Sequence, residues 1–106
     1  MRRLAMAILL LAAPAGAAEV PEIHILIKDH RFEPAEVRVP AAAKLVLVVD
    51  NQDATPEEFE SHDLHREKVI SGRRSAKIPV GPLKPGSYRF FGEFHQETAQ
   101  GVLIAE

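Results

Sequence analysis

Histidines and carboxylates fall together in two short segments of this chain. The first, PEEFESHDLHREK from Pro56 to Lys68, carries His62 and His65 among Glu57, Glu58, Glu60 and Asp63. The second, GEFHQET from Gly92 to Thr98, carries His95 between Glu93 and Glu97. The chain has no cysteine, which excludes thiolate nucleophiles, CxxC redox pairs and thiolate metal sites alike. Imidazole nitrogen and carboxylate oxygen are the ligand atoms left, and together they suit Cu(II), Zn(II), Fe or Ni. His95 and His62 lead the candidates for metal ligands, followed by Glu93 and Glu60, then Glu58 and His65. The spacing of three puts His62 and His65 on one side of a helix but on opposite faces of a strand. A solvated acidic surface has the same composition, so the two segments count as a site only where their side chains converge.

Other chemistries have less support. Ser61-His62-Asp63 is no hydrolase triad, because sequence neighbours seldom face one another and no G-x-S-x-G turn accompanies them. Glu57 to Glu60 as a general acid/base pair is equally weak, since these residues also suit the positive end of a short helix. His24 and His30 stand alone, one on the polar face of a strand and one in a turn, and are set aside as surface histidines. There is no phosphate-binding glycine loop and no basic-aromatic stripe. No catalytic residue is assigned.

The elements that must position these groups read as strands. Glu22 to Lys28 alternates, with Ile23, Ile25 and Ile27 on one face. A turn at Asp29-His30-Arg31 precedes Phe32-Glu33-Pro34, and Glu36 to Val39 is a short strand stopped by Pro40. Lys44 to Asp50 is the most apolar run and reads as a central strand buried on both faces. Thr55-Pro56-Glu57-Glu58 fits a helix start with Thr55 as N-cap and Glu58 closing a capping box, so Pro56 to Ser61 is expected to form a short helical insertion. Glu67 to Ile70 resumes as strand. Ala76, Ile78 and Val80 point inward along the next one, which Pro79 confines to an edge. Alternation from Tyr88 to Phe94 sets Tyr88, Phe90, Gly92 and Phe94 against Arg89, Phe91 and Glu93, and Val102 to Ile104 closes the chain. Six to eight short strands with frequent turn signals describe an all-β sandwich or barrel with one short helical insertion.

Size and composition narrow the class further. Of the 106 residues, the first 18 read as an export signal: Arg2-Arg3, the apolar run Leu4 to Ala13, and a small-residue cleavage site at Ala15 to Ala18. That run is about ten residues, and a membrane span needs about 20. The expectation is a cleaved signal over residues 1–18 and a single domain over 19–106. Loss of Arg2 and Arg3 leaves 11 basic against 15 acidic side chains and moves the formal charge from −2 to −4. Such a chain is a poor partner for nucleic acid or anionic lipid. Without disulfides, its fold must rest on a packed apolar core.

The aromatic strand that ends near His95 resembles the corresponding segment of the cupredoxins, small β-sandwiches that hold mononuclear copper. Gly92 stands where their cysteine would be, His95 where their histidine would be, and Gln100 near their methionine. The motifs Phe32-Glu33-Pro34, Asp50-Asn51, Thr55 to Ser61, Leu64, Glu67 to Ile70 and Gly92 to His95 resemble more narrowly the small periplasmic cupredoxin-like proteins of the EfeO type. That resemblance implies a Greek-key β-sandwich in the periplasm, with a role beside bacterial iron or copper handling. It also implies His95 as a carried-over ligand, with His62 in the region that supplies the first histidine. The partners that the resemblance implies are periplasmic or membrane components of an iron permease system. With Gly92 in place of a cysteine, blue-copper electron transfer is not implied, because that centre depends on a thiolate. A copper or iron ion held by nitrogen and oxygen is the expected cofactor, with assistance in ferrous oxidation as a special case. A metal-free fold that docks a permease or periplasmic subunit through its acidic patch is the alternative.

Overall fold

The computed structural model describes residues 20–106, so the export signal expected over residues 1–18 lies outside the described residues. Among the described residues nine strands form two layers. The first sheet orders β2 (Arg31–Glu33), β1 (Glu22–Lys28), β4 (Leu45–Asn51) and β7 (Ser75–Val80). The second orders β3 (Glu36–Val39), β9 (Gln100–Ala105), β8 (Gly86–Gly92), β5 (Glu57–Ser61) and β6 (Arg66–Ile70). β1 runs parallel to β4 and β3 parallel to β9, whereas the remaining pairs are antiparallel. The fold is an all-β sandwich, one of the two architectures its strand pattern allows and the one its resemblance implies.

The core forms where the apolar halves of these alternations meet. Ile25 and Ile27 of β1, with Leu45, Leu47 and Val49 of β4, are essentially excluded from solvent. They face Phe59, Ile70, Phe90 and Leu103 of the other sheet, all buried. β4 is central, and Val48 on its second face is buried too. Phe32, Phe59 and Phe90 join the layers at one end: the Phe32 and Phe90 rings meet edge-on at 4.9 Å, and Phe59 and Phe90 stack at 5.2 Å. Such pairs add about 0.5–1.5 kcal/mol each beyond the area they bury. Pro79 lies in β7 at a sheet edge, where its missing N–H is tolerated.

Two local expectations are corrected. Pro56 to Ser61 is not helical, because Glu57–Ser61 is the strand β5, hydrogen-bonded to both β6 and β8. Its period is two: Glu57, Phe59 and Ser61 are buried while Glu58 and Glu60 are half-exposed. A capping pattern in six residues, with one apolar side chain to carry a period, is overridden by pairing on both edges. Among the described residues the helical element is instead a single 3-10 turn, Glu93–His95. The aromatic strand accordingly stops at Gly92, and Phe94 turns out to solvent, 49% exposed.

Asn51 fixes the end of β4 that feeds the functional loops. Fully buried, its Nδ2 donates to the carbonyls of Thr55 (2.9 Å), Ile70 (3.1 Å) and Ser71 (3.3 Å), and its Oδ1 accepts from Asp53 N–H (3.1 Å). Replacing Asn51 by alanine strands buried carbonyls and is predicted to destabilise the fold by about 2–3 kcal/mol, read from the midpoint of urea unfolding.

Candidate functional site

Glu57 is the first residue of β5 and points inward, so the chain must supply donors to a carboxylate with only 2% of its side chain exposed. Three are present. Oε1 accepts from the backbone N–H of Phe94 at 2.8 Å and of Glu58 at 3.0 Å, and Oε2 lies 2.6 Å from His95 Nδ1. A carboxylate only accepts, so this contact assigns the proton of the neutral ring to Nδ1 and leaves the lone pair on Nε2. Nε2 has no hydrogen-bond partner among the described residues.

The carboxylate fits because residue 92 is a glycine. A Cβ there would stand 2.7 Å from Glu57 Cδ, 2.8 Å from Glu57 Oε2 and 2.7 Å from the Ala99 Cβ. The 3-10 turn then presents Phe94 N–H and the His95 ring to the same carboxylate. Its far side is closed by Ala99, whose N–H donates to His95 O at 2.8 Å and whose carbonyl accepts from Gly92 N–H at 2.9 Å.

His30 approaches from the other sheet. Its ring lies flat on that of His95, with centroids 3.5 Å apart and planes inclined by 11°. Asp29 and His30 form the two-residue turn between β1 and β2, both left-handed, with φ of 53° and 58°. Asp53 holds that turn: Oδ1 accepts from Asp29 N–H at 2.8 Å and Oδ2 from His30 N–H at 3.0 Å. Thr98 Oγ1 donates to His30 O at 2.5 Å, tying the turn to the segment that carries His95. Burial pushes the Asp53 carboxyl up, but the His30 and Asp29 N–H donors, with a smaller electrostatic contribution from the nearby imidazoles, outweigh it and hold the group below its ordinary value. His30, Glu93, His95, Glu97 and Thr98 line one open groove of about 500 Å³.

The other sequence-predicted residues lie elsewhere. Glu58 and Glu60 face outward from β5 with Glu67 of β6, their carboxylate oxygens within 4.8 Å of one another. Glu60 and Glu67 are direct cross-strand partners, an unfavourable pairing of like charges. A hydrogen bond to the Glu67 carboxyl, then loss of hydration, then the charges of Glu67, Glu60 and Glu93 push Glu58 up to about 7. His62 and His65 sit in the β5–β6 turn, closed by His65 N–H to His62 O at 3.2 Å. They line a separate groove with Glu60 and Glu67. Because His95 meets β5 at Glu57 and His62 lies beyond its other end, the two histidines are separated by five residues of strand, roughly 16 Å at ~3.3 Å per residue. They do not share an ion. Ligands to one ion must reach a common point about 2.0–2.2 Å from each. Sequence reasoning set His30 aside and read Glu57 as a helix start; taking EEFES at a period of two would have placed Glu57 inside with Phe59.

The donors available exclude one class of metal centre and admit another. The chain has no cysteine, and its two methionines, Met1 and Met6, fall within the first six residues. A thiolate copper centre therefore does not fit. An ion that accepts nitrogen and oxygen does fit the His95 groove, where a carboxylate-anchored imidazole offers Nε2 beside Glu93 and Glu97.

Known proteins agree with this architecture. The chain is 55% identical over 83 residues to protein RP394 of Rickettsia prowazekii, a match that covers 78% of this chain and 66%, just under two thirds, of that relative's length. The structure is similar to auracyanin A, a "blue" copper protein of Chloroflexus aurantiacus, with a TM-score of 0.71 and 14% identity over 83% of this chain and 100% of that one. It is also similar to the metal-binding domain of the Streptococcus pneumoniae Cu(I)-exporting P-type ATPase CopA, with a TM-score of 0.68 and 13% identity over 80% of this chain and 84% of that domain. At such identities the structural likeness speaks for the fold alone. The family profile of the cupredoxin-like domain matches residues 2–105. This chain thus belongs to the cupredoxin-like domain family.

Proposed function

We propose that this chain is an exported metal-binding protein of the periplasm, an accessory of bacterial iron or copper uptake that works without a blue-copper centre. The single observation that carries this reading is the Glu57–His95 pair, in which a buried carboxylate fixes Nδ1 and leaves Nε2 open to a groove containing Glu93. Histidines that ligate metals commonly have their second nitrogen fixed by a carboxylate in this way. Auracyanin A and the CopA domain share this fold and hold copper, which makes copper one cargo to test, and the EfeO-type resemblance makes iron the other. A bound ion would supply Lewis acidity or a redox couple favouring its oxidised state. The residues of this chain orient His95, hold the proton on Nδ1 and shelter one face of the ring.

Glu57 also supports the second reading, a metal-free module that docks a permease or periplasmic subunit. Its carboxylate fills the space beside Gly92 and ties the 3-10 turn to β5 through hydrogen bonds of the protein's own groups. In that case the outward acidic face around Glu58, Glu60 and Glu67 would be the working surface.

Calorimetric titration of the purified protein with Cu(II) and with Zn(II) separates the two. The metal-binding reading predicts micromolar or tighter affinity, abolished by His95→Ala and weakened about 10- to 100-fold by Glu57→Gln, which keeps the shape but loses the carboxylate anchor. No binding by the wild-type protein leaves the docking reading, in which His95→Ala retains its affinity for the partner. The carboxylate cluster makes a separate prediction. A Glu58 carboxyl raised from the ordinary 4.5 to about 7 holds its proton in the folded state after the unfolded chain has lost it. Stability is therefore expected to fall as pH rises from about 4.5 to about 7. Glu67→Gln removes the main cause, and thermal melts across that range should show a flatter profile for the variant.

A further inference from the structure

We infer that His30 is a positioning residue for His95, a role that rests on the metal-binding reading above. Its ring covers one face of the His95 imidazole at 3.5 Å, nearly parallel, while Glu57 holds the ring edge at Nδ1. An imidazole gripped at one nitrogen can still swing about that bond; a second ring laid against its face removes the swing. Nε2 then keeps one direction, and an ion that binds there need not first order its ligand.

The fold holds His30 in place at some expense in backbone strain. Asp29 and His30 both adopt the left-handed conformation in the β1–β2 turn; aspartate is an ordinary first residue there, whereas His30 stands where glycine is the ordinary choice. Asp53 accepts both of their N–H groups and Thr98 caps the His30 carbonyl. Two segments distant in sequence, those of Asp53 and Thr98, thus hold the turn that places one ring. A strained conformation that its surroundings over-determine in this way is a mark of function.

The stacked geometry also decides which function. Imidazole lone pairs lie in the ring plane, and two stacked rings with centroids 3.5 Å apart and planes inclined by 11° do not direct lone pairs to a common point about 2.0–2.1 Å from a nitrogen of each. His30 is therefore a support for the ligand and not a second ligand to the same ion.

The test uses His30→Gly and His30→Phe in the full chain, titrated with Cu(II) and Zn(II). Glycine suits the left-handed turn, so His30→Gly should melt no lower than wild type while its metal affinity falls about tenfold. His30→Phe restores a flat ring without a ligand atom and should recover most of that affinity. Unchanged affinity in His30→Gly overturns the inference, and so does a His30→Phe variant as weak as His30→Gly, which would make His30 a ligand. Wild-type protein that binds neither metal shows instead that the metal-binding reading fails. The metal-free protein then decides positioning by relaxation of the His95 ring nitrogens: a ring rigid in wild type and His30→Phe but mobile in His30→Gly supports it, and equal mobility in all three overturns it.

Discussion

A carboxylate withdrawn from water must be surrounded by donors, and the arrangement of this end of the sandwich follows from that requirement at Glu57. Two backbone N–H groups and one imidazole nitrogen converge on it. Meeting the demand bends the chain after Gly92 into a 3-10 turn, sets the orientation of His95, and excludes any side chain from position 92. Removing an acceptor shared by three buried or half-buried donors would leave them without partners, each at a cost of about 1–3 kcal/mol. The strength of the arrangement is that one group satisfies backbone and side chain together, so the loop and the imidazole are fixed by the same event.

From this anchor the site extends to both sheets. Glu57 and His95 belong to the five-stranded layer, and His30 comes from the turn of the four-stranded one. Asn51 and Asp53 link the two, since Asn51 orders the loop after β4 and Asp53 in that loop secures the His30 turn. The Asp53 carboxyl, held below its ordinary value, contributes stability above the unfolded pKa that is lost as pH falls through the folded one. The outward carboxylates of β5 and β6 behave oppositely, because mutual proximity favours a proton on Glu58. A single strand thus separates two environments: its inward glutamate is supplied with donors, and its outward glutamates face one another.

How much of this was readable in the chain depended on how far each signal reached. The alternation of EIHILIK, the unbroken apolar run of KLVLVVD and the missing N–H of Pro79 are local and strong signals, and the strands, their layering and the edge position of β7 follow from them. The segment PEEFES was misread because its capping pattern is also local, while the pairing that overrides it comes from β6 and β8, distant in sequence. The candidate ligands divided along the same line. His95 stands where the alternation ends and could be singled out. Glu57 becomes visible only as the inward member of a strand, and His30 only once the turn that carries it is folded over His95. The separation of His62 from His95 follows from β5 lying between them, which a helix in its place would have concealed.

The account's central claim is that Glu57 holds the His95 proton on Nδ1 and leaves Nε2 as the open donor. Long-range proton–nitrogen NMR correlation of the His95 imidazole reads this directly, first in the metal-free protein and then with Zn(II) added. The account predicts a neutral ring protonated at Nδ1, with zinc shifting the Nε2 resonance and sparing Nδ1. A ring protonated at Nε2, or a zinc-induced shift at Nδ1 that displaces Glu57, would contradict it.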